Sequence, residues 1–149
     1  MYIFDTDSLS DIVKSRPSPR FLKNLKGLPS EFQYPTSINV AEIYYGAFRS
    51  TKTEKILRAF EEMVFPNVTV LPFDEEIAQV YGQLKAKLEK RGITKSEPDL
   101  RIASIALQHK FTLVSGNIRH FKDIPRLKIE NWLEQKNHII LSFSSYETF

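Results

Sequence analysis

Three acids in this chain stand where structural elements begin. Asp5 directly follows the apolar run Tyr2-Ile3-Phe4, Glu42 ends the tetrad Asn39-Val40-Ala41-Glu42 at the head of an amphipathic stretch, and Asp99 follows Pro98 at the head of another. Asn117 comes just after the apolar run Phe111-Thr112-Leu113-Val114, through Ser115-Gly116. If the apolar runs are strands of one open parallel sheet, their carboxyl ends share an edge, and ligands of such sheets bind in the crevice beyond it. Helices that follow the strands start at that same edge. The four groups then converge although they are far apart in the chain.

Convergent carboxylates repel one another, and loss of solvent adds to the cost of keeping them ionised. A hard divalent cation relieves both penalties. Oxygen donors favour Mg²⁺ or Mn²⁺, and Mg²⁺ takes one or two carboxylates directly while keeping several waters. Such an ion activates water and supports in-line displacement at phosphorus. Each acid also has an ordinary explanation. Asn39 to Glu42 has the spacing of a capping box, Asp99 suits the positive end of a helix dipole, and Asp5 with Asp7 suits a turn. Three acids at three neighbouring element starts, one delivered by a buried strand, favour a site over three coincidences.

The elements that must position these groups alternate between short β-rich runs and helical ones, the pattern of an α/β domain with a mostly parallel sheet. Tyr2–Phe4 reads as a strand, and 8–15 and 19–26 as short helices. Residues 32–37 read as a weak strand that Pro35 confines to an edge or an end. Val40, Ile43, Tyr44 and Ala47 predict a helix over 39–48, and Ile56, Leu57, Phe60 and Met63 one over 53–64. Val68–Leu71 reads as a strand closed by Pro72. Asp74 caps a long helix that stops at Gly92, and Pro98 opens the next. Phe111–Val114 is the clearest strand, and Leu127–Ile129 the last before Trp132.

Composition agrees with one globular domain. The chain has 149 residues, 42% of them hydrophobic and 26% charged, enough for a core without staples. The absence of cysteine excludes disulfides, thiolate zinc sites and cysteine nucleophiles, and it suits a reducing compartment. No apolar stretch approaches a membrane span and the start of the chain does not read as a secretory signal, so a cytoplasmic protein is expected. The formal net charge is only +3, but the pI is near 9.1 and the cations cluster, as in Lys85, Lys87, Lys90, Arg91 and Lys95. Clusters of this kind attract polyanions, although lysine and arginine on solvated helix faces are also the rule.

Taken in order, the motifs resemble those of PIN-domain proteins, specifically the VapC-like toxin ribonucleases of toxin–antitoxin pairs. They are Tyr2-Ile3-Phe4-Asp5-Thr6-Asp7, the run from Thr36 through Glu42 to Gly46, Val70-Leu71-Pro72-Phe73-Asp74 leading to Tyr81-Gly82, Asp99 to Ala106, Thr112 to Asn117, and Phe121 through Ile129-Glu130-Asn131-Trp132. The resemblance covers residues 1–132 and leaves 133–149 as an apolar C-terminal extension of unassigned role, carrying Ile139, Ile140, Leu141, Phe143, Tyr146 and Phe149.

The resemblance implies a three-layer α/β domain with a central parallel sheet of four or five strands flanked by helices. It implies an endoribonuclease dependent on Mg²⁺ or Mn²⁺, a homodimer, and a cognate antitoxin that blocks the acidic pocket and alone contacts DNA. By position, Asp5, Glu42 and Asp99 match the three core acids and Asn117 the fourth, more variable position. On this reading Asp5 and Asp99 hold the metal, Glu42 supports it and orients or deprotonates the attacking water, and Asn117 positions a water or phosphate oxygen. Thr6 or Ser115 adds a hydroxyl contact. Two positions depart from the pattern: Asp7 stands where the family commonly has Asn, and Asn117 where many members have an acid. Asp7, Glu97 and Asn117 are therefore minor metal candidates, and a second tightly held ion is not expected. His120 reads as an ordinary loop histidine, while His109 and His138 have no ligand spacing. The competing reading is a catalytically weakened PIN-fold module that binds RNA or an antitoxin. The Asp-x-Asp of residues 5–7 also resembles a haloacid-dehalogenase-like phosphatase loop, but that chemistry needs a late acidic pair and the segment around Asp99 supplies one acid.

Overall fold

The computed structural model describes residues 1–13, 16–133 and 141–142. Its sheet contains β1 (Tyr2–Phe4), β2 (Gln33–Tyr34), β3 (Thr112–Val114), β4 (Lys128–Glu130) and β5 (Leu141–Ser142), in the order β2-β1-β3-β4-β5. The first four strands are parallel, and β5 runs antiparallel to β4. Around the sheet lie α1 (Thr6–Ile12), α2 (Pro19–Lys26), α3 (Ser37–Arg49), α4 (Thr53–Met63), α5 (Glu75–Lys90), α6 (Glu97–His109) and the short α7 (Ile118–Phe121).

Alternation along the strands divides the core in two, because successive side chains leave a strand on opposite faces. Ile3, Leu113 and Ile129 point to one face, where Ile77, Leu84 and Leu88 of α5 and Leu100, Ile102 and Ile105 of α6 cover them. Phe4 and Val114 point to the other, against Leu9 of α1, Phe21 of α2, Ile43 of α3 and Phe60 of α4. Trp132 closes this second core, its ring 5.1 Å from Tyr2, 5.7 Å from Phe4 and 6.0 Å from Phe21 between centroids. Helix–sheet–helix layering thus follows from strands that are apolar on both faces.

Three expectations need correction. Val68–Leu71 is not a sheet strand: only Leu71 pairs, in an isolated parallel bridge with Thr36. Thr36 is the N-cap of α3, so its chain turns into helix after one residue and offers nothing to extend the ladder. The backbone of Phe73 donates instead to Ser37 Oγ. The helix expected over 39–48 begins at Ser37, and its capping box joins Thr36 to Asn39 rather than Asn39 to Glu42. The first helix begins at Thr6, capped by Asp5, rather than at Ser8.

Elsewhere the termination signals act as read. Asp74 accepts from the Ile77 amide at 3.0 Å. Beyond the end of α5, Gly92 takes a left-handed φ of 72°, a conformation that costs glycine little. Of the apolar extension, Leu141 supplies the pairing with Ile129, while Ile139, Ile140, Phe143, Tyr146 and Phe149 lie outside the described residues. Among the described residues no helix is long and apolar enough to cross a membrane.

Candidate active site

β1 delivers Asp5. Its backbone amide still donates to the Val114 carbonyl, at 3.0 Å, so the carboxylate sits where the ladder to β3 ends. Oδ1 accepts from the Ser8 amide at 2.8 Å, the N-cap bond of α1, and Oδ2 accepts from Ser115 Oγ at 2.5 Å. Asp5 is only 6% exposed. Burial raises its pKa above the usual carboxylate value and the nearby charge of Asp7 adds to this, against the opposing hydrogen bonds from Ser115 and Ser8. Ser115 is itself fixed, since its amide donates to the Glu130 carbonyl of β4 and its hydroxyl oxygen accepts from the Asn117 amide.

α3 delivers Glu42 from its second turn. Asn39 performs the capping that Glu42 would otherwise perform, so the carboxylate is free of the backbone. Oε1 accepts from Thr6 Oγ1 at 2.6 Å, and the Asn39 amide donates to the same Thr6 oxygen at 3.1 Å. Desolvation raises the Glu42 pKa, and the charges of Asp99, Asp7 and Asp5 raise it further, while the Thr6 bond opposes them. That Glu42 feels all three places four carboxylates, from the one β1–α1 junction and from α3 and α6, in one electrostatic field.

Asp99 lies in the first turn of α6, its amide bonded to Ser96 Oγ at 3.3 Å. Its Oδ2 is 3.3 Å from His120 Nδ1 of α7. Asn117 stands at the N-cap of α7 but makes no side-chain cap bond; its amide donates to Asp7 Oδ2 at 3.0 Å. The fourth position therefore meets the extra acid across the opening of the site. Glu97, by contrast, is drawn away. It pairs with Lys85 at 2.5 Å and Arg101 at 3.7 Å and accepts from the Tyr81 hydroxyl, and the Lys85 bond above all pulls its pKa down. It ties α6 to α5 through these contacts.

The donor chemistry suits a hard divalent ion. Every group but His120 offers oxygen, and burial raises the pKa values of Asp5 and of half-buried Glu42, a cost that a cation beside them would offset. Among the described residues, however, no three His, Asp or Glu side chains form a ready-made metal-holding group. The acids do not close a cage by themselves, and such an arrangement would leave much of the coordination to water and substrate, as Mg²⁺ prefers.

Two participants were not legible as such. Asn39 read as a helix cap, and its link to Thr6 depends on α1 and α3 lying side by side, although the Thr36–Asn39 spacing is itself a capping signal. His120 read as a loop residue, and no spacing announces its contact with Asp99. His109 packs its ring 5.3 Å from Phe111 and takes no part in the site; His138 lies outside the described residues.

Residues 2–127 match the PIN domain family. Ribonuclease VapC2 of Haemophilus influenzae is 33% identical over 135 residues, covering 89% of this chain and 98% of that protein. The tRNA(fMet)-specific endonuclease VapC of Salmonella typhimurium is 28% identical over 131 residues, covering 88% and 97%. The crystal structure of VapBC2 from Rickettsia felis, bound to a DNA fragment from their promoter, superposes with a TM-score of 0.81 at 31% identity, covering 88% of this chain and 98% of that one.

Proposed function

The chain belongs to the PIN domain family, and from that premise we propose that it is the ribonuclease toxin of a toxin–antitoxin module. It hydrolyses RNA phosphodiesters at the acidic opening. The observation that carries this reading is the shared field of Asp5, Asp7, Glu42 and Asp99 at the carboxyl edge of a parallel sheet. The cofactor is Mg²⁺ or Mn²⁺, which when bound lowers the pKa of water and offsets charge developing on the phosphate. Asp5 and Asp99 hold the ion, directly or through water, with Glu42 beside them. The oxygen of Glu42 that Thr6 does not occupy orients the attacking water and receives its proton. Asn117 positions a phosphate oxygen from across the opening, and Asp7 adds negative charge.

The nuclease unit spans 1–132, with 133–149 as an extension that contributes β5. RNA is the substrate, and tRNA(fMet) is the first to try because the Salmonella relative is named for it. A cognate antitoxin covers the acidic opening and supplies the DNA contact, in keeping with the promoter-bound VapBC2 structure. The protein works as a homodimer in the cytoplasm. The competing reading, a weakened module that binds RNA or antitoxin without cutting, rests on the amide at position 117.

Cleavage separates the two. Protein freed of antitoxin is incubated with tRNA(fMet) and other structured RNAs in Mg²⁺ or Mn²⁺, beside Asp5→Asn and Asp99→Asn. Cutting by the wild type that EDTA abolishes and both variants lack supports the nuclease. RNA binding without cutting under every condition supports the binding module. Equal cutting by all three proteins assigns the activity to a contaminant and overturns the proposed site.

A further inference from the structure

Asn39 is fully buried in α3 and lies between two elements that carry site acids. Its Oδ1 accepts from the Thr36 amide at 2.7 Å and from Thr36 Oγ1 at 2.8 Å. A backbone N–H can only donate, so these contacts settle which end of the Asn39 amide is oxygen. Nδ2 therefore faces Thr6 Oγ1, at 3.1 Å. An amide nitrogen also only donates. The Thr6 oxygen must accept there, and its single proton is left for Glu42 Oε1 at 2.6 Å. Donation runs one way from Thr36 through Asn39 and Thr6 to Glu42, and each bond polarises the next.

We propose that Asn39 is a positioning residue that acts through Thr6. It fixes the Thr6 hydroxyl as a donor, so that one Glu42 oxygen is tied down and the other is turned to the opening. A hydroxyl is a free rotor and has no such direction by itself. Without Asn39 the Thr6 proton has other acceptors, and Glu42 is left to swing away from the charges of Asp99, Asp7 and Asp5. Capping alone does not require the Nδ2 contact, because the capping box is made by Asn39 Oδ1 and the Asn39 backbone amide.

The inference rests on the proposed role of Glu42, and a double-mutant cycle tests it separately from that role. Thr6→Val, Asn39→Ala and the double variant are assayed for RNA cleavage, with kcat and KM resolved, and for Mn²⁺ affinity of the metal-free protein by calorimetry. Each single variant is expected to lower kcat about 10- to 100-fold, the usual cost of losing an outer support of a metal or catalytic group, and to leave KM for RNA unmoved. The double variant is expected to be no worse than either single one, in kcat and in Mn²⁺ affinity, because both break one relay. Thr6→Ser, which keeps the hydroxyl, recovers most of what Thr6→Val loses. Multiplying losses in the double variant, or an Asn39→Ala protein with wild-type kcat, overturns the inference. Should Asn39→Ala fail to fold, Asn39→Asp keeps an acceptor for Thr36 but offers Thr6 no donor, and an unchanged kcat there overturns it equally. Glu42→Gln is the control. If it cuts like wild type, the reading of Glu42 fails; if it is inactive while the losses multiply, only the positioning role of Asn39 fails.

Discussion

Ser115 bonds to Asp5 from just beyond the neighbouring strand β3, and in the proposed mechanism Asp5 helps hold the ion, so this serine would aim the acid as well as fill space. Removing its hydroxyl in Ser115→Ala is expected to lower cleavage about 10- to 100-fold, as outer-shell losses do, with Mn²⁺ affinity falling in parallel by calorimetry. Buried Asp5 and half-buried Glu42 also set a pH signature. Asp5 and Glu42 have pKa values raised on folding, so between their unfolded and folded values the native protein binds more protons than the unfolded chain. Stability then falls as pH rises through that window and is regained as pH drops. In EDTA, the melting temperature is expected to climb as the buffer is taken from neutral toward the folded-state pKa values, and Asp5→Asn should melt higher than wild type at neutral pH while losing part of that climb. Glu97 works in the opposite sense, its lowered pKa favouring the fold at higher pH, but exposure screens it and its weight is small. Asp5, Glu42, Asp99 and Asn117 could be singled out from sequence because a strand end or a helix start announces itself in local pattern. Thr6 and Ser115 enter as hydroxyl contacts only through the family resemblance, and which acid each serves was not legible, because hydrogen bonds such as Ser115 to Asp5 join residues 110 positions apart.

At the scale of elements, α3 and α7 set the site's shape. The capping box of Thr36 and Asn39 starts α3 early enough for Glu42 to fall in its second turn, beside α1. Thr36→Ala is expected to cost about 1–2 kcal/mol through loss of the cap, read as a lower urea midpoint with an unchanged slope. α7 spans one turn, yet it holds Asn117 against Asp7 and His120 against Asp99. Its far end is held by Lys95, whose side chain is 10% exposed and whose Nζ reaches Asp123 at 3.1 Å and the Arg119 carbonyl at 3.4 Å. Helix identities were readable because their apolar stripes are strong. Val68–Leu71 misled because a β-branched run says nothing about whether a partner strand continues beside it, and here Thr36 turns away into α3.

On the scale of the molecule, the sheet divides the core and Trp132 closes the half behind the site. Trp132→Ala is expected to destabilise by about 3–5 kcal/mol, as truncation of a large buried aromatic does, and thermal unfolding in the presence of EDTA would measure it without the complication of bound ion. A smaller loss would mean that Tyr2, Phe4 and Phe21 collapse into the space. The three-layer arrangement was readable from alternation of strands and helices, but the division of labour between the two cores depends on which strand neighbours which, and β1 lies between β2 and β3 although they are distant in sequence.

That central placement has a consequence for motion. β1 and β3 are hydrogen-bonded on both sides, and the Asp5 amide is itself locked to Val114. The acid thus rides on backbone whose amides are expected to exchange only through the largest openings of the domain. Deuterium uptake should accordingly be slowest at Ile3, Asp5 and Val114 and faster in the single turn Ile118–Phe121, so that the proposed site would be anchored more firmly from its strands than from its last helix.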